Sequence, residues 1–473
     1  MKTINKPFTI ADALGLSYIG NQADNAGITE NGNYDISSSF KIALGNGNND
    51  AIISNGSGNI NNNHISFGNG NWDELANFGT GTINHNIIVF GSGNGDLILT
   101  LGGLIDNQIT IKNASNTLVE SYYGANITNN IITFGHGDNN SVQSYNDLNN
   151  NTISFSGGGG DNVQSIGDMN SNSIIFADAS SGLHSWVTSY GSLADSQISL
   201  GNANNDYLSV LGILHCNHIN FGLGEDDSIN AGAGIANSII SFQGGNNTDV
   251  LVDGNGNITN NKIYFGNGDG DRVKTAGFGD ITFNSINFTN GDADRVVAAI
   301  GNISYNEINF GSGANDYVSS NINIFNNRII FGDGSGDSIN DTYGSLSNNH
   351  IAMDNGDGDY ISANGLGGNN VINIGSGSGD WIDVSTNDQI SIGLGGSVTF
   401  WFKQSSNGSI GNVVINHFNA ANDQIILLNM SGDPFVASYA HKNTIITDGA
   451  GDTITLVGVH MVANLSSYFH SDY

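Results

Sequence analysis

The chain has 473 residues, of which 43 are Asp or Glu and only 11 are Lys or Arg, so its formal net charge is −32. This balance disfavours nucleic-acid binding, which needs a basic surface to displace the counterions of phosphates. The two prolines exclude a collagen helix, and because no apolar run approaches about 18 residues, no membrane span is predicted.

Residues 1–33 precede the first clear repeat, and we expect them to form an N-terminal cap. Lys2 and Lys6 are basic, but no continuous apolar segment follows them. A secretory signal peptide combines basic residues with such a segment. A cleaved N-terminal signal is therefore not expected.

Residues 34–400 repeat the phrase N-x-I-x-F-G-x-G-x-x-D-x-[IV]. Taking the Phe position as an anchor gives 17 anchors, 21 to 24 residues apart except for a final gap of 18, with Ile two residues before each. The anchors are Leu44, Phe67, Phe90, Ile111, Phe134, Phe155, Phe176, Leu200, Phe221, Phe242, Phe265, Phe288, Phe310, Phe331, Met353, Ile374 and Ile392. Repetition at this period is typical of stacked supersecondary units.

Each repeat reads as three short strands joined by turns. Ile and the anchor alternate with polar residues, which is the period of a strand, and further strands are predicted after the Asp and at the G-x-I step. Gly and Asn at this density are unfavourable in helices. The sequence therefore predicts an all-β protein, a parallel β-solenoid (β-helix) of about 17 coils of about 22 residues with a small β C-terminal cap.

An asparagine column lies four residues before the anchors. From Phe67 onward, 13 of 16 anchors have Asn there, and the others have Ser196, Ser238 and Asp388. Stacked Asn side chains can form amide hydrogen-bond ladders that satisfy buried polar groups. We interpret this column as structural.

An aspartate column lies six residues after the anchors. Stacked at about 4.8 Å, neighbouring carboxylates repel by about 1 kcal/mol even in water. Either the column faces water or it holds cations, of which Ca²⁺ with its oxygen ligands fits best. The column consists of Asp50, Asp73, Asp96, Asp161, Asp206, Asp227, Asp271, Asp294, Asp316, Asp337, Asp359 and Asp380. Further candidate ligands are Asp249, one place later, and Asp269, Asp292 and Asp357, two places before a column aspartate.

These turns resemble the G-G-x-G-x-D-x-U-x repeats of RTX-type calcium-binding proteins. The Asp-x-U part matches at Asp271 with Val273 and at Asp337 with Ile339, whereas most copies here read G-x-G-x-[GN]-D. The resemblance implies Ca²⁺ as cofactor, held at the glycine-rich turns. The coils of Ile111, Phe134 and Phe176 depart from it, with Thr117, Asn140 and Gly182 in place of Asp.

Residues 401–473 resemble the C-terminal region of RTX-type proteins exported by type I secretion. The phrase F-x-x-x-x-D-x-I-x-L runs from Phe418 through Asp423 to Leu427, and D-G-A-G-D-T-I adds Asp452 as a candidate ligand. The resemblance implies a C-terminal cap with an uncleaved export signal and an extracellular or cell-surface location. Folding on external calcium would follow, because metal binding couples to folding.

Two functions remain open. The first is a secreted, calcium-stabilised structural or adhesive protein of a cell surface, surface layer or biofilm matrix, with itself or a surface or matrix polysaccharide as partner. The alternative is a polysaccharide lyase or epimerase, for which Arg272, Lys274 and Arg295 form the best basic patch. Uniform coils favour the first function, so we do not expect an enzyme.

Overall fold

In the computed structural model the chain forms two compact units, Met1–Gly232 with Ser238–Phe242 and Ala233–Asn237 with Gln243–Tyr473. The structure describes residues 2–4, 18–19, 24–37, 41–177, 183–365, 367–403, 409–428, 435–460 and 469–470. Within these residues every regular element is a strand, and no helix long and apolar enough to cross a membrane is found among them.

The first unit contains three parallel sheets, and most coils contribute one strand to each. Sheet 1 follows the aspartate column: Lys2–Ile4, Gly27–Glu30, Ala51–Ser54, Glu74–Asn77, Leu97–Thr100, Leu118–Ser121, Ser141–Ser144, Asn162–Ser165, Trp186–Ser189, Tyr207–Val210 and Ser228–Ala231. Sheet 2 is the narrowest: Ile36–Ser37, Ile60–Asn61, Ile83–Asn84, Leu104–Ile105, Ile127–Thr128, Leu148–Asn149, Met169–Asn170, Leu193–Ala194 and Ile213–His215. Sheet 3 precedes the aspartate turn: Tyr18–Ile19, Lys41–Ala43, His64–Ser66, Ile87–Phe90, Gln108–Ile111, Ile131–Phe134, Thr152–Phe155, Ser173–Phe176, Gln197–Ser199, His218–Phe221 and Ile239–Phe242.

The second unit repeats this arrangement. Sheet 1 comprises Asp249–Val252, Arg272–Thr275, Arg295–Ala298, Tyr317–Ser320, Ser338–Asp341, Tyr360–Ala363, Ser378–Val384, Ser397–Lys403, Gln424–Leu428 and Phe469–His470. Sheet 2 comprises Gly234–Ala236, Ile258–Thr259, Ile281–Thr282, Ile303–Ser304, Asn323–Phe325 and Ser345–Ser347. Sheet 3 comprises Lys262–Tyr264, Ser285–Asn287, Glu307–Asn309, Arg328–Phe331, His350–Met353, Val371–Ile374, Gln389–Ile392, Asn412–Asn416 and Thr453–Val457. Val436–Ala440 and Asn443–Thr447 extend sheet 3 with antiparallel pairs.

Identical positions of successive coils pair with one another. Ile308 pairs with Ile286 on one side and with Ile329 on the other, and these three side chains are buried. Anchor rings stack in the same way, with 4.8 Å between the ring centroids of Phe310 and Phe331. The core is therefore a set of columns, each built from one position of the repeat.

The predicted fold class is confirmed. Both units are parallel β-solenoids, and together they contain about 18 turns of about 22 residues. The chain is a repeat protein in which each coil buries its apolar side chains largely against its neighbours.

The turns bring the backbones of successive coils very close together. A Cβ added to Gly356 would lie 1.6 Å from the carbonyl oxygen of Gly334 in the preceding coil. Gly358, by contrast, needs glycine or asparagine for its backbone angle, because its φ is +75° and a Cβ there would meet nothing within 4 Å. Gly356 is thus required by the close approach of the neighbouring backbone, and Gly358 is favoured by its positive φ angle.

We expect Gly356→Ala to lower the free energy of unfolding by about 3 kcal/mol or more, because the backbone of the neighbouring coil would have to move. Thermal melting followed by circular dichroism measures the loss, and hydrogen exchange should show weaker protection of Tyr360–Ala363. The matched control is Gly358→Asn, which should change stability little because Asn tolerates a positive φ. Equal stability of the Gly356→Ala protein and the wild type would contradict the close approach.

Candidate functional site

Two buried polar columns lie at two corners of the coil. Both follow a residue in the left-handed backbone region, such as Tyr305 (φ 58°) before Asn306 and Asn315 (φ 61°) before Asp316. Glycine and asparagine adopt this conformation most readily, which accounts for their abundance at the turns. The side chain after each left-handed residue points inward and is buried.

The asparagine column forms the amide ladder that the sequence predicts. The main-chain N–H and the Nδ2 of Asn306 both donate to Oδ1 of Asn327, at 2.9 and 3.0 Å. Nδ2 also donates to the carbonyl oxygens of Ile281 and Ser304, at 2.8 and 3.0 Å. Every polar atom of the Asn306 amide plane is thereby used, since its own Oδ1 accepts from Asn284. This column is fully satisfied and structural.

The aspartate column forms a ladder of a different kind. In the second unit the main-chain N–H of Asp271 donates to Oδ1 of Asp294 at 2.9 Å, and Asp294 donates in the same way to Asp316 at 2.8 Å. The pattern continues through Asp337, Asp359 and Asp380. The first unit contains the same contacts, from Asp50 to Asp73 to Asp96 and from Asp206 to Asp227. All twelve column aspartates are buried, so the alternative that the column faces water is wrong.

The second carboxylate oxygen of this column is left without a hydrogen bond. Among the described residues, Oδ2 is buried and unpartnered in ten of the twelve column aspartates, the exceptions being Asp96 and Asp161. Buried polar atoms are nearly always hydrogen-bonded, and an unsatisfied one costs about 1–3 kcal/mol. The ladder is thus incomplete unless a proton or a cation meets Oδ2.

Asn140 shows what completes the ladder. It occupies the aspartate column in its coil, and its N–H donates to Oδ1 of Asp161 at 2.7 Å. Its Nδ2 donates to the carbonyl oxygen of Gly137, three residues earlier, at 2.9 Å. An ionised Asp has no proton to donate at the corresponding oxygen.

Burial raises the pKa of the column carboxyls well above the ordinary value of 3.8, and hydrogen bonds from the preceding coil offset only part of the rise. The pKa rises to about 6 for Asp96, Asp271 and Asp337, to about 7 for Asp73, Asp161, Asp206 and Asp359, and to about 8 for Asp227, Asp294 and Asp316. For Asp50 and Asp380 the pKa is also raised by burial. Near neutral pH the metal-free column is therefore a mixture of protonated and ionised carboxyls.

The aspartates two places before the column do not join it. Asp269, Asp292 and Asp357 are exposed, and each accepts the N–H of the residue one coil further on, such as Asp292 donating to Asp269 at 2.9 Å. They form a second, solvent-facing ladder along the outside of the turn. The two carboxylates of one turn are thus separated into a buried and an exposed set.

In two coils the column position is not filled by the residue singled out from the sequence. Asp249 is paired with Arg272, whose Nε lies 2.6 Å from its Oδ1, and Thr248 takes the column position instead, donating to Asp271 at 2.8 Å. In the coil after Phe176, Ser185 donates to Asp206 at 2.6 Å. The expected Gly182 lies outside the described residues, and the extra residues before Ser185 shift the register.

The two C-terminal candidates are fully engaged by the chain itself. Asp423 accepts the N–H of Val398 at 3.0 Å and that of Asn419 at 2.7 Å. Asp452 accepts the hydroxyl of Ser409 at 3.0 Å and the N–H of Ile410 at 2.6 Å. Both carboxylates therefore tie loops to strands. The remaining C-terminal segment, residues 461–468 and 471–473, lies outside the described residues.

The sequence reasoning missed several buried acids outside the column, namely Glu30, Glu120, Asp341 and Asp383. Asp341 ends a strand of sheet 1, where the neighbouring coils have Ser320 and Ala363. Its Oδ1 accepts the N–H of Gly344 at 2.7 Å, its Oδ2 has no partner among the described residues, and burial raises its pKa to about 6. The sequence signal for Asp341 was an acidic residue at the inward-facing end of a sheet 1 strand, where the neighbouring coils have small residues.

The carboxylate and carbonyl oxygens along the aspartate column are the kinds of ligand that Ca²⁺ binds. A Cβ added to Gly291 would lie 1.6 Å from the carbonyl oxygen of Gly268 and 3.1 Å from Oδ2 of Asp294. A carbonyl oxygen of the preceding coil and a carboxylate oxygen of the column therefore both lie close to Gly291. Among the described residues no three His, Cys, Asp or Glu side chains converge, so an ion here would take most of its roughly six to eight oxygen ligands from main-chain carbonyls and water.

The predicted basic patch is largely engaged in local contacts. Arg272 pairs with Asp249, and the guanidinium of Arg295 lies 5.1 Å from the centre of the Tyr317 ring. Arg272, Lys274 and Arg295 all belong to sheet 1, where Arg272 and Arg295 pair in register. These contacts stabilise neighbouring coils.

No protein-family model matches the chain, and no curated protein matches it in sequence. The assignment as a repeat protein therefore rests on the stacked coils and their buried ladders.

The raised pKa values predict a pH dependence for the metal-free protein. Protonation of the column contributes stability that is complete below pH 3.8 and is lost as the pH rises through 6 to 8. In the presence of a chelator, we expect the thermal midpoint to fall between about pH 4 and pH 8. A midpoint that rises across this range would contradict the assignment of buried, uncompensated carboxyls.

We expect Asp294→Asn to stabilise the chelated protein at pH 8 by on the order of 1 kcal/mol, because the amide can complete the ladder as Asn140 does. Chemical denaturation monitored by circular dichroism measures the change. The matched control is Asp292→Asn in the exposed ladder, for which a change within about 0.5 kcal/mol is expected. A destabilised Asp294→Asn protein under these conditions would show that the native carboxylate is already satisfied.

Proposed function

We propose that the protein is a structural or adhesive repeat protein of an extracellular surface or matrix, and that Ca²⁺ neutralises its aspartate column. The row of buried, unpartnered Oδ2 atoms carries the proposal. Burying these oxygen atoms without a partner costs free energy. Their recurrence from coil to coil indicates that they act together. When bound, Ca²⁺ would supply positive charge to oxygens that otherwise compete for protons.

The charge balance of the chain supports an external cation. With 43 acidic and 11 basic residues, ion pairing within the chain can neutralise only a minority of the carboxylates. The buried ladder is almost free of basic partners, since Arg272 is bound to Asp249 outside the column. Ca²⁺ binds carboxylate oxygens and can therefore supply the positive charge that the chain lacks.

The uniformity of the coils supports a structural role. The same three strands and two corner ladders recur in each unit, and the departures at Thr117, Asn140 and Ser185 keep the ladder contacts. An array of near-identical coils offers repeated surfaces for association with further copies or with a matrix. The resemblance of the turns to RTX-type repeats supports the same conclusion and favours an extracellular location.

Export and folding are linked in this proposal. At low calcium and neutral pH the incomplete ladder disfavours the coiled state, and at high external calcium it becomes complete. The chain would therefore fold mainly after leaving the cell. The C-terminal resemblance to type I secretion substrates agrees with this order of events.

The test is thermal melting of the full chain with a chelator, with Ca²⁺ and with Mg²⁺. At pH 8 we expect Ca²⁺ to raise the midpoint by several degrees or more and Mg²⁺ to do much less, because Mg²⁺ sheds its water reluctantly. At pH 5 the calcium effect should shrink, since protons already neutralise the column. Equal midpoints with chelator and with Ca²⁺ at pH 8 would overturn calcium binding.

Negative-stain electron microscopy of the same samples tests the structural role. Sheets or filaments that form with Ca²⁺ and dissolve with chelator are expected. A chain carrying both Asp294→Asn and Asp316→Asn should keep its fold and show a weaker calcium response. Monodisperse single particles under all conditions would contradict assembly while leaving the melting result intact.

A further inference from the structure

The surface of the second unit carries a groove of about 700 Å³. It runs across successive coils between two rows of side chains. The corner row consists of Phe283, Tyr305, Asn326, Asn348 and Asn369, and the sheet row consists of Glu307, Arg328, His350 and Val371. The sheet-row residues pair in register, so the groove follows the direction of stacking.

The corner row contains two aromatic residues where the repeat ordinarily has a small polar residue. Phe283 and Tyr305 have φ angles of 59° and 58°. The two residues are 58% and 49% exposed, and their rings stack with centroids 4.9 Å apart. Phe325 packs its edge against Tyr305, with centroids 5.8 Å apart. The two rings cover one another's facing sides, and their exposed remainder forms an aromatic platform at the surface.

The backbone conformation at this corner is unfavourable for the aromatic residues of the platform. The left-handed region is unfavourable for bulky residues and is tolerated by Asn. The same corner is occupied by Asn260, Asn326, Asn348, Asn369 and Asn387 in neighbouring coils. Asn is thus the usual residue at this corner of the second unit, and the strain at two adjacent coils needs another reason. Strained, exposed residues of this kind are typical of binding sites.

Polar groups complete the groove beside the platform. Arg328 Nη1 lies 3.3 Å from Glu307 Oε1, and both side chains are more than half exposed. His350 follows in the next coil at the same register position, and the amides of the corner row lie opposite. The groove thus offers hydrogen-bond donors and acceptors at each coil, and the charges of Arg328 and Glu307 offset each other.

We propose that this groove binds a chain of a neutral polysaccharide. Pyranose rings have an apolar face that stacks on exposed aromatic rings, and hydroxyl groups at their edges that bind amides, carboxylates and guanidinium groups. An extended glycan chain repeats at a distance close to the spacing of about 4.8 Å between coils. Successive sugar units therefore meet equivalent positions of successive coils, with the platform at one end of the groove.

The negative charge of the protein favours a neutral polysaccharide over an anionic one. With a net charge of −32, the chain repels anionic polymers, and the single arginine of the groove is already paired with Glu307. A protein partner would be expected to meet a broader apolar surface than one aromatic pair bordered by amides. The site does not depend on Ca²⁺ beyond the integrity of the fold.

The test is affinity electrophoresis of the full chain, with Ca²⁺ present, in gels containing hydroxyethylcellulose, xyloglucan, galactomannan, alginate or polygalacturonate. We expect at least one of the three neutral polysaccharides to slow migration and the two anionic ones to have no effect. Phe283→Asn combined with Tyr305→Asn should weaken binding by at least about tenfold. The same substitutions should leave the thermal midpoint equal or higher, because Asn suits the corner.

The matched control is Tyr343→Asn, which removes another exposed aromatic ring outside the groove and should leave binding unchanged. Arg328→Gln should weaken binding without a change in fold. The proposal is overturned if none of the neutral polysaccharides slows the wild type, if only anionic ones do, or if the double variant binds as tightly as the wild type. Loss of self-association alone in the double variant would also overturn it.

Discussion

The constraint on which this structure depends is the in-register stacking of parallel coils at one strand spacing. Every position of the repeat becomes a column, so a side chain that is buried once is buried next to copies of itself. For Ile and Phe this stacking is favourable, since it fills the core with matched shapes. For polar residues it is favourable only when the group both donates and accepts, as the amide of Asn306 does toward Asn284 and Asn327.

The two corner columns show both outcomes of that rule. Asn has a donor and an acceptor and closes its ladder, whereas ionised Asp has acceptors alone and leaves Oδ2 without a partner in most coils. A chain selected only for stability could have used Asn at both corners, as it does at Asn140. The retention of Asp therefore makes stability responsive to something outside the chain, either protons or the proposed Ca²⁺. The same corners explain the glycine and asparagine content, and they make the aromatic residues at Phe283 and Tyr305 informative, because the backbone there disfavours them.

The sequence predicted the positions of side chains correctly where the repeat is regular. It did not do so where extra residues are inserted or where a side chain pairs with a residue outside the column. The alternation of Ile308 with Phe310 was enough to predict a buried strand, and the period was enough to predict stacking. The partner of Asp249 could not be predicted: it pairs with Arg272, while Thr248, six residues after its anchor, takes the column position. Ser185 could not be found either, because extra residues shift its register. The separation of exposed Asp269 from buried Asp271 depends on the left-handed Gly270 between them, whose φ is +77°.

The sequence by itself determined that this protein is an all-β parallel solenoid with an amide column and an acid column, because a strict period permits no other way to bury the same positions in each coil. Only the tertiary structure decided which oxygen of each carboxylate is satisfied, and which acids face inward. It also decided that Phe283, Tyr305, Glu307 and Arg328 meet in one groove. Those facts depend on distances between residues of different coils, and such distances follow from turn geometry and register rather than from the pattern of residue types.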